Sequence, residues 1–216
     1  MGTHIDSLDF FWESVKSAGI AKLKDKQMLE LGNQIMRQDV KDKYKIRSGY
    51  SKIYFLNLRC HHTAIDWNLK DGTVPIDMCI PIPLKRYINN FDIVTDFGCM
   101  EHYWGDEKKP KEWGLDKEMV AQWQSWKNIH DMGKVGCVYI HTLPFLGSVP
   151  GHGLFHYDLP FFENVCKHNN YELISLYKQR HDIRTDARDY AFCSYVKKED
   201  KPFVPGWEVF KEWLHR

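Results

Sequence analysis

The chain has no run of 18 apolar residues, so no helix spanning a membrane is expected. It has no excess of one charge: 30 Lys and Arg against 29 Asp and Glu leave a formal charge of +1. A surface dedicated to nucleic acid carries a marked basic excess, so no nucleic-acid partner is expected. There is no C-x-x-C pair, and the six cysteines, at 60, 79, 99, 137, 166 and 193, stand singly. Scattered thiols fit a reducing cytoplasm better than a disulfide framework. The opening Met1-Gly2-Thr3-His4-Ile5-Asp6 lacks the basic-then-apolar pattern of a secretory leader, which again points to a cytoplasmic protein. G-x-x-x-x-G-K-[ST], G-x-S-x-G and H-E-x-x-H are missing, leaving phosphoryl transfer, serine hydrolysis and zincin chemistry unsupported. G-x-G-x-x-G and Tyr-x-x-x-Lys are missing too, which removes the fingerprint of nicotinamide-dependent reductases and sugar epimerases.

What is present suits a single α/β domain over 1–216, since a hydrophobic content of 43% over 216 residues can bury a substantial core. Helical spacing predicts an N-terminal helix over 7–18, a helix over 115–132 with Met119, Trp123, Trp126 and Ile129 on its apolar face, and a short helix over 159–168. Ser48 is placed to cap another helix over 50–58, and an appended helix is expected over 205–215. Short apolar runs predict strands at 26–32, 63–66, 74–78, 91–96 and 135–141, with two more, at 172–177 and 189–196, able to pair as an antiparallel hairpin. Pro75, Pro81 and Pro83 push the third of these to a sheet edge. The lysine-rich stretch 37–47 reads as a loop or mobile insertion, and the core spans about 27–197.

The most informative segment is Phe91 to His102, where an apolar run delivers Asp96, Glu101 and His102 as it ends. In an open α/β sheet, ligands sit beyond the carboxyl ends of parallel strands. Glu30, Asp66 and Asp77 fall in or just after other strand-like runs, so the sequence describes a pocket lined with negative charge. Each has a plainer alternative. Glu30 also suits a structural charge, Asp66 and Asp77 can cap turns beside Asn68, Asp71 and Gly72, and His102 can be a satisfied structural histidine.

With these residues in view, the chain resembles the class I S-adenosylmethionine-dependent methyltransferases. The matching motifs are Leu29-Glu30-Leu31-Gly32, Ala64-Ile65-Asp66, Pro75-Ile76-Asp77, Phe91 to Asp96, the Glu101-His102 step, and Gly136 to His141. The resemblance implies a Rossmann-like three-layer sandwich around a seven-stranded, mostly parallel sheet, order 3-2-1-4-5-7-6 with the last strand antiparallel. The family's G-x-G-x-G turn is reduced here to Gly32, which is followed by Asn33-Gln34-Ile35. Glu30 and Asp66 are 36 positions apart, against about 20 in a compact dinucleotide unit.

The cofactor implied is S-adenosylmethionine, a net cation without phosphate, for which carboxylates suit better than an anion-cradling turn. By the same resemblance Asp66 would take the ribose hydroxyls and Asp77 the adenine amino group. Glu30 and Asp96 would lie near the methionine portion, with Gly32, Asn33 and Glu101 alongside. His102 is the leading general-base candidate and His141 the second, because imidazole titrates near neutrality. The acceptor expected is a small molecule or a sugar hydroxyl. A rival reading is a methyltransferase-like binding or scaffold protein without catalysis. His152 and His156 lie four apart, but Pro150, Gly151 and Gly153 argue against the helix that would align them, and no metal site is expected.

Overall fold

Apolar residues on both faces of the central strands demand cover on both sides, and the chain supplies it with helices between strands. The computed structural model describes residues 2–66, 69–82, 85–103, 115–148, 153–183, 186–204 and 206–215. In chain order these form β1 (Gly2–Thr3), α1 (Ile5–Ser17), β2 (Gln27–Leu31), β3 (Ile35–Met36), α2 (Gln38–Tyr44), α3 (Ser51–Asn57), β4 (His61–Ile65) and β5 (Phe91–Phe97). Then come α4 (Leu115–Met132), β6 (Gly133–Pro144), α5 (Leu159–His168), the hairpin β7 (Glu172–Ile183) and β8 (Asp186–Val196), and the short α6 (Trp207–Phe210). β1 and β3 pair alone, while the main sheet runs β4-β2-β5-β6-β8-β7, with β8 antiparallel to both neighbours.

Two apolar layers sandwich this sheet. On one face Leu29, Leu31, Val94 and Tyr139 meet Trp126 of α4 and Phe161 and Phe162 of α5. On the other, Met28, Ile93, Val138 and Ile140 meet Phe10, Phe11 and Val15 of α1 and Phe55 of α3. The alternation along β2, β5 and β6 is the period-2 pattern of a strand buried on both sides. Trp126 is the hub of the first layer, its indole 5.0 Å from the ring of Phe161 and 4.9 Å from that of His141. No helix among the described residues is long and apolar enough to cross a membrane.

Several expectations need correction. The main sheet has six strands among the described residues, not seven. The segment expected as the third strand contributes a single parallel bridge, Ile65 to Val74, with Val74 N donating to Ala64 O at 2.8 Å and Asp66 N to Val74 O at 3.2 Å. The next donor that could reach β4, Ile76 N, turns back across Pro75 to Val74 O at 2.9 Å, so pairing stops there. The lysine-rich insertion holds a helix, α2, anchored by buried Val40 and by Lys43 and Tyr44, which both bond Asp9 of α1. Ser48 does not cap α3; its hydroxyl accepts from Tyr50 N, and Tyr50 takes the cap position. The C-terminal helix is shorter than expected, a single turn followed by a 3-10 turn at Lys211–Trp213. The hairpin strands are longer than expected.

The end of α4 carries a buried histidine with both nitrogens used. His130 Nε2 faces the carbonyl of Lys201 at 2.6 Å and must donate, leaving Nδ1 to accept from the Tyr171 hydroxyl. Burial first, and the Lys197 ammonium second, push its pKa down from 6.5 to about 4. The unfolded chain therefore binds this proton near pH 6.5, whereas the folded chain resists until about pH 4. The stability is present above 6.5 and lost as pH falls through that window, by up to on the order of 3 kcal/mol. Urea denaturation of wild type and His130→Gln at about pH 7 and about pH 5 tests this; the wild type should lose roughly 2 kcal/mol more than the variant.

Candidate functional site

Register decides which residues meet. Leu31 of β2 pairs with Ile65 of β4 on one side and Asp96 of β5 on the other, and Asp96 pairs with His141 of β6. The strands are parallel here, so Gly32, Asn33, Asp66, Asp96, Glu101, His102 and His141 collect along one rim of the sheet. Glu30 and Asp77 do not join them directly.

The turn after β2 is tightly tied. Gly32 has φ +77°, the left-handed region that favours glycine, and a Cβ there would lie 2.5 Å from Cys99 Sγ. Gly32 N donates to Ile65 O at 2.8 Å, and Asn33 N donates to Asp66 Oδ2 at 2.7 Å. The Asn33 amide nitrogen donates to Asp71 Oδ2 at 2.9 Å. Gln34 sends its amide nitrogen to Leu31 O at 3.2 Å, Phe97 O at 3.3 Å and Cys99 Sγ at 3.3 Å, bridging the ends of β2 and β5. The Cys99 thiol donates to Leu31 O at 3.0 Å.

Asp96 is fully buried and organises the next turn. Its Oδ1 accepts from Cys99 N at 3.0 Å and Met100 N at 3.2 Å, and its Oδ2 lies 3.1 Å from His141 Nδ1. An ionised carboxylate only accepts, so Nδ1 carries the proton and Nε2 accepts from the Tyr195 hydroxyl at 3.1 Å. Burial holds the Tyr195 phenol well above its usual range, so it remains a donor. His141 is thus enclosed with both nitrogens engaged, and its direct effect is on Asp96.

The 3-10 turn Met100–His102 carries the Glu101-His102 step. Burial, reinforced by the charge of Asp96, raises the Glu101 pKa well above the usual carboxyl value and favours its protonated form. Gly153 (φ +74°) packs against it; a Cβ there would lie 2.7 Å from Glu101 Cγ. His102 Nε2 lies 3.7 Å from Glu101 Oε1, and its side chain keeps 30% of its surface exposed against 1% for Glu101. Of the two histidines proposed as bases, only His102 reaches the surface. Gln122 of α4 braces the turn, donating to Met100 O at 2.7 Å and Tyr103 O at 3.1 Å and accepting from Trp126 Nε1 and the Tyr157 hydroxyl.

Glu30 projects to the opposite side of the sheet. Its Oε2 accepts from Ser51 Oγ at 2.5 Å and lies 3.4 Å from His62 Nε2, with the His62 ring stacked on Phe55 at 5.6 Å. Asp77 caps its own turn, accepting from Cys79 N at 2.8 Å, and borders a cavity of about 510 Å³ walled by Ile80, Lys117, Val120, Ala121 and Trp207. His152 lies outside the described residues, and His156 bonds through its backbone to His215 O. Sequence reasoning missed Gln34, Ser51, His62, Cys99, Gln122 and Tyr195. Only Gln122 left a signal, its i, i+4 spacing to Trp126 on one helix.

No protein-family model and no curated protein sequence matches this chain. Solved structures do. Haemonchus contortus phosphoethanolamine N-methyltransferase 2 in complex with S-adenosyl-L-methionine aligns with a TM-score of 0.52 at 13% identity, over 90% of this chain and 52% of that one. This chain therefore spans about half the length of that protein. The same protein with phosphomonomethylethanolamine and S-adenosylhomocysteine gives 0.50 at 13% identity, over 90% and 52%. N-methyltransferase NodS from Bradyrhizobium japonicum WM9 gives 0.50 at 11% identity, over 90% of this chain and 95% of that one. The chain has the fold of class I S-adenosylmethionine-dependent methyltransferases.

Two substitutions probe the rim. Gly32→Ala adds a Cβ against Cys99 at positive φ and should destabilise by about 2 kcal/mol or more, read from urea denaturation. Glu101→Gln keeps the shape of the neutral acid. The unfolded carboxyl ionises near 4.5 while the folded one resists, so wild-type stability falls as pH rises above that value. The variant should match wild type near pH 4 and melt at a higher temperature near pH 7, as calorimetry would show.

Proposed function

We propose that this chain is an S-adenosylmethionine-dependent methyltransferase whose acceptor is a small molecule, a sugar or other hydroxyl being the favoured class. The observation that carries the reading is Gly32, bare and left-handed, standing between strands that end on Asp66 and Asp96. A side chain at position 32 would collide with Cys99 Sγ, so glycine there lets the turn after β5 pack directly on the end of β2 and draws Asp96 and Asp66 to one rim. The flanking acids suit a ligand that is net cationic. The balanced charge of the chain supports a small acceptor over nucleic acid. The six free cysteines, five of them buried, support a reducing compartment such as the cytoplasm.

In this reading Asp66 would accept hydrogen bonds from the ribose hydroxyls. Asp77 would accept from the adenine amino group, its carboxylate lying at the edge of an apolar cavity that includes Trp207. Gly32 and Asn33 would pass beneath the methionine portion, with Asp96 and Glu101 on the β5 side. Glu30 would act from behind the sheet, fixing the start of α3 through Ser51. S-adenosylmethionine, when bound, supplies an electrophilic methyl on a sulfonium. The protein's share is alignment, from a rim whose donors and acceptors are already fixed, and removal of the acceptor's proton. His102 would accept that proton, while His141 holds Asp96 and serves as a positioning residue.

A second reading, a binding or scaffold protein without catalysis, is favoured by Asn33 and Gln34, which stand where the family's glycine-rich turn continues, Gln34 bonding Cys99 and Asn33 bonding Asp66 and Asp71. One titration separates the two. Calorimetry with S-adenosylhomocysteine should give binding to wild type and a loss of about tenfold or more on Asp66→Ala. No binding, or an unchanged affinity in the variant, rejects the cofactor site. With radiolabelled S-adenosylmethionine and a panel of hydroxyl acceptors, His102→Asn should lower kcat by about 10²–10⁴-fold and leave cofactor affinity within about twofold.

A further inference from the structure

The turn at 32–34 has the opposite polarity to an anion cradle. A glycine-rich turn binds phosphate because free backbone N–H groups converge on it. Here the N–H of Gly32 is consumed by Ile65 O and that of Asn33 by Asp66. What the turn has left over is acceptors. The amide nitrogens of Asn33 and Gln34 are anchored, the first on the Asp71 carboxylate and the second on two carbonyls and a sulfur. Flipping either amide would press oxygen against oxygen, so the partners settle the orientation. Both carboxamide oxygens, Asn33 Oδ1 and Gln34 Oε1, then lie buried with no hydrogen-bond partner among the described residues. Asn33 is 7% exposed and Gln34 1%. Buried acceptors without donors are uncommon in folded proteins, and each calls for a partner such as a bound ligand or a water.

We propose that Asn33 Oδ1 and Gln34 Oε1 are the docking acceptors for the ammonium group of a nucleoside amino-acid ligand, and set the site's preference for a cation. This rests on the cofactor reading above, and names the residues that select one end of that ligand. The surrounding charge agrees: Asp66 and Asp71 hold the two Asn33 nitrogens, and Asp96 ends the neighbouring strand, so the local field is negative. The usual glycine at position 34 could offer no such acceptor. Gln34 therefore acts as a specificity residue in place of a spacer.

Calorimetry with S-adenosylhomocysteine and with its deaminated analogue, which lacks only the ammonium, tests this. Wild type should bind the former at least about tenfold more tightly. Gln34→Met, similar in length but without the acceptor, should weaken S-adenosylhomocysteine by about tenfold and leave the analogue within about twofold. Equal affinities of wild type for the two ligands overturn the proposal without any variant. So does an equal loss for both ligands in Gln34→Met, or a Gln34→Gly variant that binds both more tightly, which would make the side chain an obstruction. If wild type binds no nucleoside, the cofactor reading falls and this inference with it; binding that Gln34→Met leaves unchanged removes the inference alone.

Discussion

The carboxylate of Asp96 is the constraint on which the rim depends. It sits fully buried at the last turn of β5, where an ionised group is tolerated only if its lone pairs are filled. Two main-chain amides fill one oxygen and His141 meets the other. The first pair fixes the turn that carries Glu101 and His102. The second couples β5 to β6 and, through Tyr195, to β8. Removing either set would leave a charge stranded in the core, so turn, imidazole and phenol hold their positions together.

That coupling also separates the roles of the acids. Asp96 and Glu101 are close in sequence and both buried, yet a shared site cannot hold two charges without donors for each. Asp96 accepts from two main-chain amides and faces His141, while burial first and the nearby Asp96 second raise the Glu101 pKa well above the usual carboxyl value. The rim is therefore less negative than a count of its carboxyls suggests. Its field comes from Asp66, Asp71 and Asp96, and the carboxamides of residues 33 and 34 extend it without adding charge.

Much of this was legible in the sequence, and the boundary is physical. Strand ends were readable because an apolar run that stops at Gly32, Asp66 or Asp96 stops for a local reason: a polar group at a strand terminus reaches solvent or a turn. The helix 115–132 was readable because its apolar period is long. What was hidden depends on topology. Tyr195 meets His141 across 54 residues, and Gln34 meets Phe97 across 63, through pairings no local pattern encodes. The insertion 37–47 looked unstructured because its composition is polar, but its helix is held by Asp9, some 34 residues earlier. The third strand was misjudged for the converse reason. Its composition suited a strand, while a tight turn from Val74 O to Ile76 N ended the ladder at one bridge.

That truncated strand leaves a mark on the rest of the sheet. β4 stands at the border, and beyond Val74 nothing among the described residues pairs with its outer side. His62 buries its imidazole completely while the residue as a whole is only half-buried, so the surface it shows is main chain. Open amides and carbonyls of this kind are a template for another strand. The brevity of β4, only five residues, is what keeps chance stacking of molecules along that margin in check.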